Sequence, residues 1–450
     1  MHRCRTHRHP RACLFLPRPA LPAVLALLLA ACAAAPAGPS APAREPAMSD
    51  RSTEPSPGTP QAGAEADRLD RALTMPGRLR VATFNASLYD DAEGGLVARL
   101  RAGDGDARRV AAIIQHLRPD VLLLNEFDYD PEGIAAELFQ RDYLEASQHG
   151  QTPIHYPWRY LAPVNTGVPS GLDLDGDGQA GGDGRQRGND AWGYGLHPGQ
   201  YGMLVLSQYP LDAGAARSFR LLKWSAMPGA SQPQHPDARP FYPPEIWRAL
   251  RLSSKSHWDL PVQTPLGRIH LLAAHPTPPA FDGPERRNAH RNHDEIRLWA
   301  DYLNPGNEAW LCDDDGHCGG LAAGERFVIL GDYNADPADG NSLPGAIQQL
   351  LEHPRVLRMA TPRNRGGEDT QAAIFAGLDT PPVKRGSPAH ATAVFGRAGV
   401  FRVDYVLPSV GFRVMDSGVF WPREGEPGVD WLDASDHRPV WVDLEAAPPE

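Results

Sequence analysis

From Arg78 onward, short apolar runs alternate with amphipathic stretches. Leu79-Arg-Val-Ala-Thr-Phe-Asn85 reads as a buried strand, and the apolar run Val121-Leu-Leu-Leu124 as another. Gly202–Ser207, Arg268–Ala274, Phe327–Leu330, Arg402–Leu407 and Pro439–Leu444 are further strand candidates. Asp106–Leu117 brings Val110, Ile113, Ile114 and Leu117 onto one helical face, and His290–Leu303 does the same with Ile296, Trp299, Ala300 and Leu303. Strands interleaved with helices predict a layered sheet-and-helix protein, and no internal repeat is visible.

The N-terminal region has a different character. Residues 33 to about 76 are dominated by Ala, Pro, Gly, Ser and acids, with no period that could bury a face. Ahead of them, Arg3, Arg5, Arg8, Arg11 and Arg18 precede the apolar run Leu21–Ala30, which is too short to span a bilayer as a mature helix. That organisation predicts a removable export signal. The run ends in Leu29-Ala30-Ala31-Cys32, which resembles a bacterial lipobox with Cys32 as the acylated residue; an ordinary Ala-rich cleavage site is the alternative. The expected organisation is a lipoprotein signal peptide over 1–31, a tether over 32–77 and one folded domain over 78–446. The domain carries a Gly/Asp-rich insertion at about 165–200, and Pro228–Pro244 reads as a Pro-rich loop.

Charge and cysteine usage narrow the picture. Lys+Arg number 44 against 55 Asp+Glu, a net charge of -11, and the signal peptide carries five arginines and no acid, so a mature chain is more acidic still. That balance argues against a general electrostatic grip on nucleic acid and suits a metal site. Loss of Cys4 and Cys13 with the signal and acylation of Cys32 leave Cys312 and Cys318, six residues apart. In an oxidising compartment they are expected to form a local disulfide, with two free thiols as the alternative. His317 alone cannot complete a zinc site with them.

Polar residues recur where the apolar strands end: Asn85, Asn125-Glu126, His275 and Asp332-Tyr-Asn334, with Ser435-Asp436-His437 just ahead of the last strand. A strand end is rigid while its side chain can reach a cleft, which suits residues that must hold a reacting group. Singly, each has an ordinary explanation: Asn85 as a turn cap, Glu126 as a surface acid, Asp332–Pro337 as an Asx turn. Together, two histidines, several carboxylates and two amides on separate strand ends form a kit for metal-assisted hydrolysis of a phosphate ester.

The series Thr83-Phe-Asn85, Asn125-Glu126, His275, Gly331-Asp-Tyr-Asn-Ala-Asp336, Val403-Asp-Tyr405 and Ser435-Asp-His-Arg-Pro439 resembles, in kind and order, the endonuclease/exonuclease/phosphatase superfamily. That superfamily includes deoxyribonucleases, abasic-site endonucleases, inositol polyphosphate phosphatases and neutral sphingomyelinases. The resemblance spans roughly residues 78 to 446 and implies an α+β fold, a four-layer αββα sandwich. It further implies Asn85, Glu126 and Asp436 as ligands of a divalent cation, Mg²⁺ first, with Mn²⁺ or Ca²⁺ as alternatives. Asp332 would orient or deprotonate the attacking water, and Asn334 would hold that water or a phosphoryl oxygen. His437 would stabilise charge on phosphorus with Asp404 fixing its orientation, and His275 would face the leaving oxygen.

Lys255, Arg286, Arg287 and Arg291, with His293 beside them, are candidate substrate contacts; a solvated helix start is the competing explanation for the arginines. In the insertion, Asp173-Leu-Asp175-Gly-Asp177-Gly178 matches the opening half of an EF-hand loop, although its twelfth position is Gly184 where Glu belongs. A structural Ca²⁺ on Asp173, Asp175 and Asp177 is expected, against a flexible acidic loop. Trp158, Tyr160, Trp192, Tyr194 and Tyr201 either line the cleft or pack beneath it. The functional expectation is an exported, membrane-anchored, monomeric phosphoesterase at the periplasmic or cell surface, acting on a phosphomonoester or phosphodiester. An extracellular nuclease and a non-catalytic ligand-binding lipoprotein are the alternatives.

Overall fold

The computed structural model describes residues 77–304, 306 and 309–447. The expected signal peptide, Cys32 and residues 32–76 of the tether lie outside the described residues.

Among the described residues thirteen strands follow in chain order: β1 Leu79–Leu88, β2 Val121–Phe127, β3 Trp158–Tyr160, β4 Met203–Ser207, β5 Arg217–Ser218, β6 His257–Thr264, β7 Gly267–Ala274, β8 Phe327–Asp332, β9 Ala393–Val394, β10 Val400–Phe401, β11 Asp404–Pro408, β12 Phe412–Val419 and β13 Val440–Ala446. One sheet runs β12-β13-β1-β2-β4-β3 and the second β11-β8-β7-β6-β5, with β9 and β10 forming a separate pair. Within both large sheets pairing is mixed: β1–β2 and β7–β8 are parallel, the other pairs antiparallel.

Alternation along the strands explains the layering. On β1 and β2, Val81, Val121 and Leu123 join Leu271, Ala273, Val328 and Leu330 of the second sheet in a core between the sheets. Their neighbours Ala82, Phe84, Leu122 and Leu124 face outward, against the helix Gly105–Leu117. On the far side, Leu272, Ala274 and Ile329 pack against Ile296, Trp299 and Leu303 of the helix Arg287–Leu303. Helix, sheet, sheet and helix therefore stack as the expected αββα sandwich. Strands covered on both faces need apolar residues at successive positions, which is why they read as continuous apolar runs.

The helix Gly105–Leu117 starts where the Asp104 carboxylate accepts the Ala107 N–H at 2.7 Å and ends at Arg118, in a left-handed conformation ahead of Pro119. The insertion is an ordered segment. Bridges Thr166↔Gly193 and Pro169↔Ala191 close it, and a short helix, Arg185–Asn189, lies within it. The sulfurs of Cys312 and Cys318 are bonded, closing the loop between them.

Candidate active site

Two sheets that meet face to face bring the ends of β1, β2, β7 and β8 together, and buried Asn125 stitches them. Its side-chain carbonyl accepts the Asp332 N–H at 3.1 Å, and its amide nitrogen reaches the Ala274 carbonyl at 3.4 Å. The first of these bonds therefore ties an end of the first sheet directly to the catalytic candidate on the second. Gly331 makes the crossing possible. A Cβ there would lie 2.0 Å from the Ala274 carbonyl oxygen, and φ is +146°, so only glycine lets β8 pass β7 at this point. This is the physical content of the glycine in the Gly-Asp-Tyr-Asn motif.

Asp332 is the hub. One carboxylate oxygen accepts the Asn334 N–H at 2.9 Å. Around the other converge the Asn85 amide nitrogen at 3.1 Å, the Asn334 amide nitrogen at 3.4 Å, His275 Nε2 at 3.4 Å and His437 Nε2 at 3.7 Å. Asn334 adopts φ +52°, tolerable for asparagine, which turns its amide onto the Pro276 carbonyl at 3.1 Å as well. Burial raises the Asp332 pKa, but His437 and His275 outweigh it and hold the carboxyl well below its usual range.

Behind His437, Asp404 faces Nδ1 with its two oxygens at 3.0 and 3.2 Å. The Thr392 hydroxyl donates to the same carboxylate at 2.7 Å and accepts the Val403 and Asp404 N–H groups at 3.0 Å. Burial lowers the His437 pKa, yet the Asp404 and Asp332 charges overcome it and lift it to about 10. Burial lifts Asp404 to about 6, with His437 opposing and Asp332 adding to the rise. Between those two values the pair is imidazolium and carboxylate. His275 moves the other way, its pKa lowered by burial and by the Lys255 charge. The serine of Ser-Asp-His has a local task, because its hydroxyl donates to the Asn85 carbonyl at 2.7 Å and accepts the His437 N–H at 3.0 Å.

Glu126 closes β2 in a left-handed conformation, φ +56°, uncommon for a residue with a side chain. It is half-buried, and among the described residues its carboxylate takes no hydrogen bond or ion pair. Asp436 is 57% exposed, with one oxygen 3.9 Å from His437 Nε2. Burial, then Glu126 and Asp436, raise the Tyr89 phenol pKa, so both acids act on one ring at the edge of the site. Tyr201 packs against Tyr89 with ring centroids 4.6 Å apart. Glu126, Asp436 and the Asn85 side-chain amide offer hard oxygen donors, a set whose chemistry fits a divalent cation such as Mg²⁺. The carboxylates of Asp332 and Asp404 also gather with His437 closely enough to share an ion, all three buried.

Lys255 is 7% exposed, with no hydrogen bond or ion pair to its ammonium among the described residues. Burial lowers its pKa, opposed by Glu295, Glu126 and Asp332, which places it among the acids of the site. The arginines are employed elsewhere. Arg291 is half-buried, and its guanidinium donates to the carbonyls of Leu252, Trp192, Arg251 and Ser253, bracing loops. Arg286 donates to the Asn341 carbonyl, and Arg287 to that of Asp175 in the insertion. His293 pairs with Asp294 at 2.9 Å. In the insertion, Asp173, Asp175 and Asp177 present oxygens near one another, while each also accepts backbone N–H groups of the same loop. The aromatics divide: Tyr160 packs edge-on against core Trp258, Trp192 lies under Arg251, and Trp158 and Tyr194 are exposed.

Apolar spacing and motifs did not single out Thr392, Asn292 or Glu295, three buried polar residues whose hydrogen-bond partners lie on other elements. Asn125 was legible through its place beside Glu126 at the end of an apolar run.

A mixed two-sheet sandwich with this cluster across its strand ends defines a phosphoesterase- or nuclease-like class. The model of the Endonuclease/Exonuclease/phosphatase family matches residues 82–437, and the chain belongs to that family. Members of this family are generally metal-dependent hydrolases. No curated protein matches the chain. Among solved structures it is similar to an endonuclease/exonuclease/phosphatase from Beutenbergia cavernae, at 20% identity over 82% of this chain and 72% of that one, TM-score 0.45. It is also similar to sphingomyelinase C from Streptomyces griseocarneus, at 16% identity over 82% and 99%, TM-score 0.39. A Staphylococcus aureus beta toxin mutant with bound magnesium ions matches at 11% identity over 82% and 99%, TM-score 0.39.

Proposed function

We propose that the protein is an exported phosphoesterase that uses a divalent cation to hydrolyse phosphomonoester or phosphodiester bonds by in-line attack of water. The observation that carries this reading is the Asp332 carboxylate ringed by His275, His437, Asn85 and Asn334, together with a Glu126 carboxylate that takes no hydrogen bond or ion pair among the described residues. Asp332, ionised at neutral pH, accepts a hydrogen bond from the attacking water and aligns it, with Asn334 as second contact. His437, held as imidazolium by Asp404, donates toward charge developing on the phosphoryl oxygens. Lys255 adds a cation to the same oxygens. His275, in reach of Asp332, faces the leaving oxygen.

Asn85, Glu126 and Asp436 would hold Mg²⁺, with Mn²⁺ or Ca²⁺ as alternatives. A cation bound there supplies Lewis-acid polarisation of the phosphoryl group. Asp173, Asp175 and Asp177 are assigned a structural Ca²⁺ that stiffens the insertion. Export and an N-terminal lipid on Cys32 complete the proposal.

The test is a screen of the purified protein, supplied with Mg²⁺, Mn²⁺ or Ca²⁺, against phosphate monoesters, phosphate diesters, DNA, RNA and phospholipids. Turnover of at least one small ester is expected. Faster hydrolysis of DNA would move the assignment to a nuclease, and no turnover of any substrate would reject the enzyme reading.

A further inference from the structure

The helix Arg287–Leu303 packs outside the second sheet, yet it turns a row of polar side chains inward beneath the site. Glu295 is fully buried. One of its carboxylate oxygens accepts the Ser254 N–H at 2.6 Å and the other accepts the Thr277 N–H at 2.6 Å. Ser254 immediately precedes Lys255, and Thr277 lies two residues beyond His275. The two loops also touch directly, since the Ser254 hydroxyl lies 3.4 Å from the His275 carbonyl. One turn earlier on the helix, Asn292 donates to the Thr277 carbonyl at 2.8 Å and the Tyr333 carbonyl at 2.9 Å. Thr277 is thereby pinned through both its N–H and its carbonyl, and the Asp332–Asn334 turn is tied to the same helix.

A buried carboxylate is costly unless its oxygens are hydrogen-bonded, and two charge-assisted bonds to backbone N–H groups meet that need. No ion pair joins Glu295 to Lys255 among the described residues, so the carboxylate acts on the ammonium through the backbone of the loop and through its charge at longer range. A structural brace alone has no need to end on these two loops. Here both bonds terminate within two residues of groups assigned to the phosphate and to the leaving oxygen.

We propose that Glu295 is a positioning residue of the phosphoesterase centre: its carboxylate clamps the loop carrying Lys255 to the loop following His275 and so sets where the ammonium and the imidazole stand. This rests on the phosphoesterase reading above. The Glu295→Gln variant keeps the size of the side chain but turns an NH₂ group toward one of the two N–H donors, so one arm of the clamp opens. Glu295→Asp keeps the charge and is one methylene too short to reach both.

The test uses the full chain as Glu295→Gln, Glu295→Asp, Lys255→Met and the double variant Lys255→Met/Glu295→Gln, with circular dichroism to confirm folding. Three quantities are read: backbone amide exchange at Ser254 and Thr277, affinity for inorganic phosphate with Mg²⁺ present, and kcat and KM on the best ester of the screen. The expected result is exchange faster by about tenfold or more at one or both amides, phosphate affinity weakened by about tenfold, and a fall in kcat larger than the change in KM. The double variant should bind phosphate no worse than Lys255→Met alone, because Glu295 acts on the phosphate through Lys255, while its kcat falls further through His275. Additive losses of phosphate affinity in the double variant, or released amides with phosphate affinity and kcat unchanged, would overturn the proposal. A wild-type protein that exchanges slowly at both amides but neither binds phosphate nor turns over any ester would sink the phosphoesterase reading itself, and the role of Glu295 with it.

Discussion

Replacing Asp404 by Asn isolates the electrostatic part of the site from its shape. The amide has nearly the volume of the carboxylate, so the packing around Thr392 and β11 is retained. The carboxylate now takes a hydrogen bond from the Thr392 hydroxyl at 2.7 Å and faces His437 Nδ1 at 3.0 Å, using acceptors only. Asn offers one acceptor and one NH₂ group, so either Thr392 or His437 meets a donor. The negative charge that most favours the imidazolium also disappears, while burial, which opposes it, remains. His437 should therefore titrate well below its present value of about 10, toward or below the ordinary 6.5. Loss of one preorganised donor to a developing anion costs about 3 to 4 kcal/mol, so kcat should fall roughly 10²- to 10³-fold above neutral pH. The assay is kcat against pH from 6 to 10 on a hydrolysed ester, with KM followed separately. In Asp404→Asn the alkaline limb should move down by more than one pH unit and the loss should be smallest at the acid end. An unchanged kcat, or an equal loss at every pH, would refute the argument that the carboxylate acts by keeping His437 charged.

Glu126→Gln removes the charge of a carboxylate that has no partner among the described residues, and calorimetric titration should show Mg²⁺ or Mn²⁺ affinity weakened by about tenfold or more, about 1.4 kcal/mol; unchanged affinity would remove Glu126 from the ligand set. The metal-free protein should lose thermal stability as pH rises from about 6.5 to 10. His437 binds its proton more tightly folded than unfolded, so its contribution is complete below 6.5 and is lost as pH climbs through the folded value of about 10. Scanning calorimetry of wild type and His437→Ala checks this, with a flatter profile expected for the variant and an identical slope counting against it. Cys32→Ser should release the product from the membrane fraction on cell fractionation; persistent membrane association would reject the lipid anchor.

Much of the scaffold could be read from apolar runs, because Val121–Leu124, Met203–Leu206, Leu271–Ala274 and Phe327–Leu330 are apolar and buried at every position. β6 escaped notice for the opposite reason. Trp258, Leu260 and Val262 face the inter-sheet core, but His257, Asp259 and Pro261 alternate with them and break the run. Those polar residues are buried too, Asp259 against the Tyr302 hydroxyl and His270, and a strand whose polar face is satisfied by distant partners has no simple periodic signature. β12 at the sheet edge was missed in the same way, with exposed Arg413 and half-buried Asp416 and Ser417 along it. The residues around Asp332 were readable because their motifs are local to strand ends. Glu295 was not, since on a helix it reads as one more charge between Asp294 and Arg297. Arg291 shows the converse: a basic residue in the first turns of an amphipathic helix reads as a substrate contact, whereas its donors are satisfied by loop carbonyls.

The central claim is that hydrolysis of a phosphate ester takes place at Asp332. Its most direct test is the Asp332→Asn variant in the metal-supplemented turnover assay, with unfolding followed alongside to confirm an intact fold. The account predicts a loss of kcat on the order of 10³-fold or more, with KM changed far less, because the isosteric amide cannot orient or deprotonate the attacking water. Turnover within a few-fold of wild type by a folded Asp332→Asn protein would contradict it.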